Sequence, residues 1–147
     1  MPALRPVRLF VYGSLRPAWP GEPGVDDPAL ARLKAVSTWL GRGAAPGRLW
    51  RVSWYPGMTR GRPGERVVGD VLEFAEPGLL AALDAYEDAS GGEGLYVRGR
   101  TRVAMDDGWR VGAWVWRYGG PLEGARRIGD GDFLADLARA PQPASRA

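Results

Sequence analysis

The sequence predicts an α+β domain with a curved or barrel-like sheet. Short apolar runs of strand length recur along its 147 residues, punctuated by many of its 22 glycines and 13 prolines. Residues 76–89 form the clearest helical segment and stand between such runs. Residues 95–118 hold two strand-like runs around Asp106-Asp107-Gly108, a sequence suited to a hairpin turn. The resulting order, β, α, several β, α, β-hairpin, α, reads as α+β.

VRLFVY (7–12) reads as a buried strand broken by Gly13-Ser14. RPAWPGEPGVDDP (16–28) is a Pro/Gly-rich loop. PALARLKAVSTWLG then reads as a short helix running into a strand. RLWRVSWYPGM (48–58) predicts a strand ending at a Tyr55-Pro56-Gly57 turn, and VVGDVLEF (67–74) a strand with alternating apolar positions. EPGLLAALDAYEDA (76–89) is a helix with Pro77 in its first turn and Gly91-Gly92 at its end. LYVRGRTRVAM and WRVGAWVWRY supply the hairpin strands, and GDGDFLADLARA a turn capped by Asp132 before a last short helix. Asp130 and Asp132 resemble part of a calcium loop, but the remaining ligand spacing is missing. One domain over 1–140 and a frayed tail at 141–147 are expected.

Composition excludes several chemistries. There is no His and no Cys. A Ser-His-Asp triad, a thiolate nucleophile and any His or Cys metal site are therefore ruled out. Acid–base work falls to Asp, Glu, Tyr, the single Lys34 or the substrate itself. Nineteen of the 20 basic residues are Arg, and the net charge is +3. RGRTR (98–102) and seven Trp leave nucleic-acid binding as an alternative, but no basic block of five or more exists and no nucleic-acid partner is expected. No apolar run of membrane-spanning length occurs, and MPALRPVRLFVYG lacks a signal core, so no membrane partner and a cytoplasmic location are expected.

LDAYED (83–88) concentrates three carboxylates on the predicted helix. At about 100° per residue, with Leu83 at the centre of the buried face, Leu79, Leu80 and Tyr86 lie within about 60°. Glu87 falls about 40° away, among the leucines, whereas Asp84 lies at about 100° and Asp88 at about 140°. A buried ionised carboxylate costs several kcal/mol unless paired. Glu87 therefore swings into water at the helix end, pairs with an arginine such as Arg98 or Arg100, or lines a pocket as a general base. VYGSLR (11–16) is a strand followed by a small-residue turn. There Gly13 permits close backbone approach, and successive N–H groups can cradle an anion.

In order, LFVYGSLR, GRLW (47–50), YPGM (55–58), VVGDVLEF, LDAYED, LYVR (95–98), AWVWRY (113–118) and IGDGDF (128–133) resemble the γ-glutamylcyclotransferase family, which includes γ-glutamylamine cyclotransferases and AIG2-like proteins. The resemblance spans roughly residues 8 to 134. It implies a small mixed β-barrel with flanking helices, no metal or organic cofactor, and a small-molecule γ-glutamyl substrate. It places the family's acid–base glutamate at Glu87, and its substrate loop at Tyr12, Gly13, Ser14 and Leu15. Tyr55 and Tyr96, with Trp19 and Trp54, are aromatic candidates for the leaving-group side or for barrel packing. Three departures stand out: Asp88 follows Glu87 where many relatives have Gly, the segment DASGGEG (88–94) is long, and Ala125 lies near where some supply a Tyr. The implied reaction is attack of the substrate's own α-amine on its γ-carbonyl, forming 5-oxoproline and releasing an amine. Such chemistry needs no protein nucleophile. Binding without catalysis, or γ-glutamyl transfer or hydrolysis on the same fold, are the alternatives. The oligomeric state is open between monomer and dimer.

Overall fold

The computed structural model describes residues 5–18, 28–53, 55–91 and 95–139, with the side chains of 88–91 excluded. Strands β1 (Val7–Val11), β2 (Thr38–Pro46), β5 (Arg66–Phe74), β6 (Tyr96–Met105) and β7 (Arg110–Tyr118) close into a barrel in the order β1-β5-β2-β6-β7. Its one parallel seam joins β1 to β7, with Leu9 beside Trp114, and the other pairs are antiparallel. The barrel is therefore mixed, as expected. Strands β3 (Arg48–Arg51), β4 (Pro56–Thr59) and β8 (Arg126–Arg127) make a second small sheet. Helices α1 (Pro28–Val36), α2 (Leu79–Gly91) and α3 (Phe133–Arg139) flank the strands.

Strand periodicity builds two cores from one set of strands. Phe10 and Tyr12 of the first strand segment join Val71, Val103, Val115 and Phe133 in one cluster. Leu9 and Val11 point the other way, onto Leu33 of α1 and Leu79 and Leu83 of α2. After the exposed Arg8, the continuous apolar run Leu9-Phe10-Val11 is the signature of a strand covered on both faces. It fixes where the loop after β1 emerges, beside α2.

Two boundaries differ from expectation. The 48–58 segment is two antiparallel strands, because the Val52 and Ser53 N–H groups both donate to the Tyr55 carbonyl (3.1 and 3.3 Å) and reverse the chain earlier. Pro56 then opens the edge strand β4, a position that tolerates a missing N–H. Helix α2 begins at Leu79 rather than 76 because Gly78 adopts φ of +80°, a left-handed geometry incompatible with a helix interior. The hairpin at 106–108 is present, with Met105 N–H donating to Trp109 O at 2.7 Å. Asp132 caps α3 through the Ala135 N–H (3.1 Å). Asp130 contacts Arg139, and Asp132 contacts Arg16 and Arg42. The expected tail lies outside the described residues.

Candidate active site

Helix α2 turns Leu79 and Leu83 into the core and carries Tyr86 and Glu87 one turn further, to the wall of a pocket. The loop after β1 contributes as well: Tyr12, Gly13, Ser14 and Leu15 all line the same pocket. Tyr55, Pro56, Tyr96 and Trp116 complete it. The two sequence features singled out above, Glu87 and the YGSL turn, thus face one space.

Among the described residues that line the pocket, Glu87 is the single ionisable carboxyl and none is Lys or Arg. Burial pushes it up from the ordinary carboxylate range to about 7, and the charge of Asp84 one turn earlier adds to the rise. Of its two candidate arginine partners, Arg98 is committed elsewhere: it grips Asp84 with Nε (2.8 Å) and Nη2 (3.0 Å). Arg100 lies over the Trp114 ring, 4.7 Å from its centroid. Asp84 also accepts from Trp116 Nε1 at 2.8 Å. This carboxylate, at the edge of the wheel, is the one that takes Arg98.

The loop is a tight turn, closed by the Arg16 N–H donating to the Gly13 carbonyl at 3.0 Å. Among the described residues none accepts from the N–H of Ser14 or of Leu15. Those two amides can receive an anion or a developing oxyanion. Gly13 is required by packing, since a Cβ there would meet Pro56 Cγ at 2.8 Å.

The tyrosines divide by what their hydroxyls do. Tyr12 lines the pocket, and its buried hydroxyl donates to Trp116 O (2.7 Å) and accepts from Met58 N–H (3.1 Å). Burial drives its pKa well up, so it stays protonated. Tyr12→Phe is expected to lose about 1–3 kcal/mol in chemical denaturation, because the Met58 N–H is left unpaired. Tyr96 donates to Pro56 O (2.7 Å) and stacks edge-on with Tyr55 (6.3 Å) and Tyr118 (5.5 Å). Both aromatic candidates, Tyr55 and Tyr96, are thus at the pocket, and Tyr96 also ties it to β4. Trp19, Trp54, the Asp88 side chain and residues 92–94 lie outside the described residues.

Sequence reasoning did not single out Tyr86, Pro56 or Trp116 for the site. Tyr86 was within the apolar arc of the wheel, and Trp116 lies on the strand parity that faces α2. No described group of His, Cys, Asp and Glu is arranged to hold a metal ion.

The mixed barrel and its flanking helices define a γ-glutamyl cyclotransferase-like α+β fold. The family model for gamma-glutamyl cyclotransferase, AIG2-like, matches residues 9–135, and the chain belongs to that family. Protein YtfP from Escherichia coli is 27% identical, with a TM-score of 0.59 over 89% of this chain and 99% of its own. An AIG2-like protein from Mus musculus is 21% identical, with a TM-score of 0.61 over 81% and 82%. A gamma-glutamyl cyclotransferase shares the fold at 16% identity and a TM-score of 0.55, over 78% of this chain and 67% of its own. No curated protein matches the chain at a significant level.

Proposed function

We propose that the protein is a cyclotransferase that cleaves a γ-glutamyl amide into 5-oxoproline and a free amine. The observation that carries this reading is that the partly buried Glu87 lines one pocket with Ser14 and Leu15, whose amides have no acceptor among the described residues. A carboxyl whose pKa lies near 7 is half ionised at neutral pH and can both take and return a proton.

In this mechanism the loop amides hold the γ-glutamyl group folded, so that its α-amine meets its γ-carbonyl. Positioning of this kind lowers the barrier by several kcal/mol. The α-amine attacks as its free base, and Glu87 accepts one proton from it as the N–Cδ bond forms. The same carboxylic acid then protonates the departing nitrogen as the old amide bond breaks. Atoms and protons balance without water, metal or protein nucleophile.

A panel of γ-glutamyl amino acids, ε-lysyl amides and polyamine amides, scored for 5-oxoproline by mass spectrometry, tests the reading. At least one member should be turned over; failure of every member would return the fold to a binding role. A second outcome bears on Asp84. Asp84→Asn should move the acidic limb of kcat/KM, expected near pH 7, down by about half a pH unit, because one negative charge beside Glu87 is gone. Arg98→Met should move it upward, since the charge of Asp84 is then uncompensated. A limb that stays in place in both variants would show that Glu87 does not set it.

A further inference from the structure

Directly after the substrate loop stands Arg16, buried at 7% exposure. Its Nε donates to Asp70 Oδ2 on β5 at 2.7 Å, and its Nη1 to Asp132 Oδ1 at the start of α3 at 3.1 Å. Asp70 is itself buried and accepts on its other oxygen from Trp39 Nε1 of β2 at 2.9 Å. Arg42 approaches the second oxygen of Asp132 at 3.6 Å, so two cations face two carboxylates. The guanidinium thus ties together three elements: the loop, β5 and the α3 cap.

Buried ion clusters are poor sources of net stability, because desolvation offsets most of the attraction. What they fix is geometry, and this one fixes the end of a turn. The backbone N–H of Arg16 closes the Gly13–Arg16 turn, while its side chain is clamped from two directions. The turn's middle residues, Ser14 and Leu15, line the pocket, and their amides have no acceptor among the described residues. We infer that Arg16, seated on Asp70 and Asp132, is a positioning residue that presets the loop amides for the substrate's γ-glutamyl group. A planar guanidinium can bridge two carboxylates set apart, and a lysine ammonium cannot do so with the same directionality.

This inference rests on the proposed γ-glutamyl reading for what the loop binds, but not for what holds the loop. Arg16→Lys keeps the charge and loses the fork. It is expected to raise KM at least about tenfold while kcat stays within about threefold and the acidic limb of the pH profile does not move. In the same variant, ¹⁵N relaxation should drop the order parameters of Ser14 and Leu15 from the rigid range of about 0.85 to below about 0.6, with the barrel strands unchanged. Trp39→Phe removes only one donor from Asp70, and should shift KM and loop order in the same direction by less. It serves if Arg16→Lys does not fold. A rigid loop in the variant overturns the inference, and so does a loosened loop with unchanged KM. Should the wild type turn over no γ-glutamyl compound, the proposed activity fails, and the order parameters alone decide whether Arg16 sets the loop.

Discussion

Glu87→Gln is expected to reduce 5-oxoproline release by roughly 10²–10⁴-fold, the range that general acid–base groups contribute. The substitution is nearly isosteric. The amide side chain it introduces would keep its place in the pocket but could neither take the proton of the attacking α-amine nor return it to the leaving nitrogen. Far-ultraviolet circular dichroism and the melting transition should show an intact fold, which separates a lost proton carrier from a lost structure. Binding of a γ-glutamyl compound should survive, since the loop amides rather than Glu87 hold the glutamyl group in this account. Wild-type turnover in the variant would remove Glu87 from the chemistry.

The same substitution should make the protein more stable, and increasingly so as pH rises. The Glu87 carboxyl is held at about 7 in the folded chain, against an ordinary value of 4.5. Between these two values the folded state binds more protons than the unfolded state. Stability therefore falls as pH rises through this window, and the deficit is complete above the folded value. Glutamine carries no such penalty. Glu87→Gln is expected to gain about 1–3 kcal/mol in denaturant unfolding at pH 8, with the gain largely gone towards pH 4.5. A gain independent of pH would mean that the carboxyl is not perturbed by burial. A site that stabilises its scaffold when neutralised is a common cost of catalysis.

Much of this was readable before any coordinates. The run VRLFV told of a buried strand, and Leu9 with Val11 against Phe10 with Tyr12 bears that reading out on both faces. A helical wheel separated Glu87 from Asp84 using periodicity alone, since that argument concerns one local element. The unread features are those that sequence distance conceals. Arg98 reaches Asp84 rather than Glu87 because β6 runs beside α2 in a particular register, and no local pattern encodes it. Arg16 finds Asp70 54 residues on and Asp132 116 residues on, through barrel closure. The two-residue strand β8 has too little length for periodicity. It is held by pairing to β3 and by Arg126 on Asp136 and Arg127 on Glu65. Tyr12 looked like a ligand contact from its place in the YGSL turn, yet its hydroxyl is spent on Met58 and Trp116, which only the folded chain brings near.

Cyclotransfer and hydrolysis share the fold, the pocket and the glutamate, and they differ in what attacks the γ-carbonyl. Turnover of a γ-glutamyl substrate by the wild-type protein in heavy-oxygen water, read by mass spectrometry, separates them. Attack by the α-amine predicts 5-oxoproline free of heavy oxygen, formed in equal amount with the released amine. Glutamate carrying heavy oxygen in its γ-carboxyl would contradict the account.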